Sequence, residues 1–186
     1  MLAAGPGLPF AATEVAALSR RYRDAARFTG RRATVEAVMD ALDGAGFAHI
    51  AAHGHFRADN PLFSSIQLAD GQLTVYDLER LRRPPRHVVL SACDSGLPTV
   101  HPGDELLGLA AALLALGTRT LIATVVPVPD RASTALMLRL HHHMRRGEGP
   151  AAALAKAQLD LADSTDSATD TAAKAATAGF VCFGAG

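Results

Sequence analysis

Excess charge, cysteine and long apolar runs are what this sequence has little of, and each shortage removes a class of function. Lysine plus arginine number 18 and aspartate plus glutamate 18, so there is no formal net charge. The positive footprint of a nucleic-acid binder is missing, and no nucleic-acid partner is expected. A membrane is excluded on length, because a spanning helix needs roughly 18 to 20 apolar residues and Arg119 interrupts the richest stretch, Leu106 to Val126. The amino end lacks a basic segment followed by an apolar one, so no signal peptide is expected. Only two cysteines, Cys93 and Cys182, are present, far from a disulfide framework. A reducing cytoplasm is the expected setting. Missing motifs narrow the chemistry further. Without G-x-S-x-G a serine hydrolase built on Ser91 or Ser95 is unsupported, and without G-x-G-x-x-G or a Walker lysine nucleotide binding is too. His53, His55, Cys93 and His101 could supply zinc ligands, yet no C-x-x-C or H-x-x-x-H spacing backs them. His141-His142-His143 falls within a predicted helix, where consecutive residues point in different directions. No metal and no cofactor are expected.

What is present is a set of apolar runs alternating with helical patterns. Met1–Ala4, Phe47–Ala52, His87–Ala92, Arg119–Val126 and Phe180–Phe183 read as strands. Ser64–Leu68 alternates like a half-exposed strand, closed by a turn at Asp70-Gly71. Helices are predicted from Thr13, as N-cap, to Phe28, from Thr34 to Leu42, from Thr74 through Leu81, from Asp104 to Leu116, from Asp130 to Arg146 and from Pro150 to Ala162. Thr74 and Asp77 have the form of a capping box, and leucines nearly all round the Asp104 helix predict deep burial. Ser164 to Ala178, small and polar, is expected to be a mobile excursion. At 186 residues this makes a single domain over residues 1–186, a three-layer α/β/α sandwich around a mainly parallel sheet.

Two runs end in chemistry. Phe47–Ala52 leads into His53-Gly54, and His87–Ala92 into Cys93. Parallel neighbours would bring imidazole and thiol together at the carboxyl edge of the sheet, where open α/β sheets place their sites. A cysteine attacks as the thiolate, and a neighbouring imidazole both lowers its pKa and serves as base and then acid. Two N–H donors, from Gly54 and Cys93, are placed to hold the resulting oxyanion. Asp94, Asp104 and Glu105 lie beside this site in sequence and would attract a basic substrate residue, with capping of its helix the larger role for Asp104. Cys182 reads as a core cysteine, His49 and His87 as structural groups near strand starts, and His55 as a surface or loop-packing residue.

Ala51-Ala-His53-Gly54-His-Phe, Asp59-Asn-Pro-Leu-Phe-Ser64, Leu90-Ser-Ala-Cys93, Gly103-Asp-Glu-Leu-Leu-Gly108-Leu, and Gly147 followed by Ala153-Leu154 and Ala157-Gln158 together resemble the CHAT domain. That family is related to caspases and separases and is often linked to tetratricopeptide repeats in bacterial signalling proteins. The resemblance implies a caspase-like fold and a cysteine endopeptidase whose His–Cys dyad falls on His53 and Cys93, acting on a protein or peptide substrate. It also implies that Ser91 takes the place of the caspase glutamine lining the pocket for the residue before the cut bond, and that Thr124 to Val128 lies along the substrate. Many family members have tryptophan in that segment, where this chain has Val125 and Val126. A tetratricopeptide-repeat or other sensor domain, upstream in a longer parent chain of which this stretch would be the C-terminal part, would gate the site. The alternatives are a catalytically silent signalling or scaffold module with the same fold, and a non-peptidase Cys–His hydrolase.

Overall fold

A computed structural model describes the chain except Phe56, Ala58, Asp59, residues 92–103, Pro127, residues 165–170 and Gly186, together with the side chains of Pro61, residues 104–109, Ala172 and Ala173. Its centre is a sheet of six strands: β1 (Leu2–Ala4), β2 (Arg27–Phe28), β3 (Ala48–Ala51), β7 (His87–Leu90), β8 (Thr120–Thr124) and β9 (Phe180–Gly184). Their order is β2-β1-β3-β7-β8-β9, all parallel except β9, which runs antiparallel to β8. Strands covered on both faces need no polar alternation, and every residue of β1, β3 and β8 is buried. A second, antiparallel sheet joins β4 (Gly54–His55), β5 (Ser65–Gln67) and β6 (Gln72–Thr74), with β5 in the middle.

Helices cover both faces. On one, α2 (Val35–Leu42), α3 (Val75–Leu78) and α4 (Asp104–Leu116) pack Val38, Leu42, Leu78, Ala110 and Leu113 against Ile50, Val88, Leu90 and Leu121. On the other, α5 (Asp130–Arg145) and α6 (Pro150–Ala162) pack Leu136, Met137, Leu140 and Leu154 on Val89, Ile122 and Phe180. There α1 (Ala11–Ser19) sets Val15 and Leu18 against Leu2 and Ala51. Each such leucine taken out of water contributes about 1.5 to 3 kcal/mol.

The expected three-layer α/β/α architecture is therefore present, with differences in particular elements. Thr13 is not a cap: α1 starts at Ala11 behind Phe10, without a side-chain cap, and stops at Ser19. The rest of the stretch predicted as one helix to Phe28 is a turn leading to the edge strand β2, whose two residues are too short a run to signal a strand on their own. In α4, Ala111 and Ala115 are exposed, so the helix has a solvent face that its run of apolar letters conceals. Residues 171–177 of the expected excursion form α7 (Thr171–Thr177); alanines drive that helix without large side chains to announce it. The capping box at α3 forms as expected: Thr74 Oγ1 accepts from Asp77 N, and an Asp77 carboxylate oxygen accepts from Thr74 N at 3.0 Å.

Candidate active site

The carboxyl ends of β1, β3 and β7 lie level. Gly5 N donates to Ala51 O at 2.8 Å, and Ser91 N donates to Ile50 O at 3.0 Å, extending the register Ile50 opposite Leu90. His53 follows directly, two residues past the end of β3. Its ring is half-buried against the turn after β1, where Gly7 has φ +80° and a methyl group there would stand 3.1 Å from His53 Nε2. Only glycine occupies that conformation without strain, so Gly5-Pro-Gly7 shapes one wall around the imidazole. Gly5 is equally constrained, because a Cβ there would meet Gln67 O at 2.5 Å and Ala52 Cβ at 2.6 Å.

Gly54 is buried and begins β4. Gln67 N donates to His53 O at 2.8 Å, and Gly54 stands opposite Ile66. In an antiparallel ladder bonded and non-bonded pairs alternate, so the Gly54 N–H points away from β5. It faces the open edge of the small sheet. A one-residue difference in register would have turned that donor into the ladder.

Of the other predicted site residues, Ser91 is 2 % exposed and its carbonyl accepts a short hydrogen bond from Ser133 Oγ on α5. Val125 is half-buried against the core and its N–H donates to Gly179 O at 2.9 Å, whereas Val126 is exposed. Asp104 is the first residue of α4. Cys93 and Asp94 lie outside the described residues, as does His101. Cys182 carries a free thiol on β9, and burial pushes its pKa up, which keeps it protonated and unreactive. Among the described residues no group of histidine, cysteine and acidic side chains could hold a metal ion, and no helix is long and apolar enough to cross a membrane.

One constellation escaped the sequence reading. Glu14, His49 and His141, at most 1 % exposed, form a chain between α1, β3 and α5. His49 Nε2 lies 2.8 Å from Glu14 Oε1, His49 Nδ1 lies 3.1 Å from His141 Nε2, and His141 Nδ1 lies 2.9 Å from the Tyr22 hydroxyl. The contacts run in series from the Glu14 carboxylate through both imidazoles to the Tyr22 hydroxyl, so both nitrogens of each ring have a partner. Burial first, then the neighbouring His49 and Arg21, holds the His141 pKa well below its ordinary value. The signal was present only as three separate letters. Glu14 sits in an apolar helix face, His49 interrupts an apolar strand, and His141 opens a histidine triplet whose other members point elsewhere, His143 to Asp160 at 2.7 Å.

Comparison with known proteins agrees with this architecture. A model of the CHAT domain family matches residues 2–185. No curated protein sequence matches the chain. Among solved structures, the complex of the pro- and mature domains of RgpB from Porphyromonas gingivalis superposes with a TM-score of 0.61 at 11% identity. The match covers 98% of this chain and 46% of that one, so the chain spans less than half the length of its structural neighbour. At that identity the likeness is one of fold. The chain belongs to the CHAT domain family and has a caspase-like fold.

Proposed function

We propose that the domain is a cysteine endopeptidase using His53 and Cys93. The supporting observation is that His53 stands at the carboxyl end of β3, beside the carboxyl end of β7, from which Cys93 is removed by only two residues after Ser91. Two residues span at most about 7 Å. In the proposed reaction His53 takes the thiol proton and the Cys93 thiolate attacks the peptide carbonyl carbon. The oxyanion is held by the N–H groups of Gly54 and Cys93. His53 then gives its proton to the leaving amine, water enters, and hydrolysis of the thioester releases the acid and restores the thiol. The orientation of the Gly54 N–H toward an open edge fits the oxyanion role. Ser91, Asp94, Asp104, Val125 and Val126 belong to substrate binding in this reading, with a protein or peptide as substrate, an upstream sensor as gate and the cytoplasm as setting.

The test is incubation of the chain with a peptide library and mapping of cleavages by mass spectrometry, alongside Cys93→Ala and His53→Ala. Cleavage should fall by at least about a thousandfold in either variant, the scale seen when one member of a catalytic unit is removed. Cleavage untouched by Cys93→Ala overturns the mechanism, and no cleavage under any condition favours a scaffold using the same fold.

A further inference from the structure

Opposite the peptidase edge lies a cavity of about 630 Å³ lined by Arg20, Arg21, Arg23, Arg145 and Arg146 around Tyr22, with Asp24 and His142 at its side. Topology places it there. The helix α1 descends from the carboxyl end of β1 and residues 20–26 lead to the start of β2, while α5 descends from the end of β8 and finishes at Arg145. Among the described residues none of the five guanidinium groups forms a salt bridge, and Glu148, the carboxylate that feels Arg146, is engaged by Lys156. In a chain of zero net charge this is a local excess that an incoming anion would relieve.

The wall is fixed in advance. The Tyr22 ring stacks on Phe47 at 5.9 Å between centroids, its hydroxyl is held by His141, and the Arg145 guanidinium lies 5.5 Å above the ring. Arg21 is anchored by donating from Nη1 to Leu138 O at 2.9 Å. Groups already held lose little freedom when a ligand arrives. Guanidinium forks match phosphate oxygens two at a time, and a phosphate brings close to two negative charges in the space of one carboxylate. The five arginines line one concavity of small-ligand size, which favours a compact ligand over a nucleic-acid strand. We propose that this cavity binds a small soluble anion carrying two or more phosphate groups, at a site separate from the dyad.

Titration calorimetry of the 186-residue chain with inorganic tripolyphosphate in low salt tests it. Expected is one-to-one binding that weakens as salt rises, is weaker still for monophosphate, and drops by about tenfold or more in each of Arg23→Ala and Arg146→Ala, while Arg82→Ala, in a separate concavity lined by Val35, Met39 and Asp77, leaves it unchanged. Amide chemical-shift mapping on the unaltered chain provides the arm that does not depend on a variant folding. Shifts centred on residues 20–25 and 142–146 are expected. No binding, shifts centred elsewhere, or a single-stranded oligonucleotide binding more tightly than tripolyphosphate would each overturn the assignment.

Discussion

At the scale of single residues, the buried His141 ties stability to pH. The folded pKa of His141 is depressed, chiefly by burial, so the unfolded chain binds a proton that the folded one refuses. Stability is then fully present above the unfolded value of about 6.5 and is lost as pH falls below it, by at most about 1.4 kcal/mol per pH unit for one proton. His87, depressed first by burial and then by Arg86 and Arg119, acts with the same sign. Urea titrations at pH 7.5, 6.5 and 5.5 should show the midpoint falling with pH, and His141→Gln should flatten that dependence. A slope unchanged in the variant assigns the acid response to other groups. Gly7 gives a second residue-scale expectation. Replacing it by alanine imposes a left-handed conformation on a side chain, at about 1 to 3 kcal/mol, and places a methyl group against the His53 ring. Peptidase turnover should fall more than thermal stability alone accounts for, as measured by turnover well below the melting temperature. The thiols are a third case. With iodoacetamide at pH 6.5, the proposed dyad predicts that Cys93 labels well before Cys182, whose thiol burial keeps protonated. Labelling in the reverse order sinks the thiolate assignment.

At the scale of elements, caps decide where helices begin, and two threonines that look alike in the sequence should behave differently. Thr74→Ala removes the hydroxyl that accepts from Asp77 N and donates to the Asp77 carboxylate, leaves the backbone N–H bond to that carboxylate in place, and should cost about 1 kcal/mol. Thr13 lies exposed within α1, behind an uncapped start at Phe10, so Thr13→Ala should be neutral or slightly stabilising by denaturant titration. This pair also marks how far the elements were legible. The Thr74-x-x-Asp77 pattern and the Pro150 start worked because the chemistry is local. Thr13 failed because an end set by α1 packing on β1 and α5 outweighs an available hydroxyl, and β2 was invisible because its two residues owe their strand to pairing with β1. Gly54-His55 is a strand for the same reason, its partner arriving from Ser65 and Ile66. The ends of β3 and β7 were readable since apolar runs announce buried parallel strands. Which way the Gly54 N–H faces was not, because it depends on a register that only the folded pair defines.

At the scale of the whole molecule, three layers share one sheet, and the damage from a large-to-small change depends on which face it opens. Leu140 is fully buried between α5 and the sheet, so Leu140→Ala should destabilise by about 2 to 5 kcal/mol in urea unfolding. Leu159 is 63% exposed, and Leu159→Ala should change stability by less than about 0.5 kcal/mol. The five arginines and the His53 edge occupy opposite ends of the same strands, which lets one end change its ligand without rebuilding the other.

The antiparallel return of β9 to β8 carries a consequence for synthesis. Strands β1, β3, β7 and β8 can align while the chain is growing, yet the far side of β8 meets its partner only when residues 180–184 have been made. Until then an entirely buried strand presents bare amide and carbonyl groups to its surroundings, the kind of edge to which other chains add. Ribosome-bound intermediates halted anywhere between Thr124 and Gly179 would therefore be the sticky species for this protein, the ones a chaperone has most reason to hold.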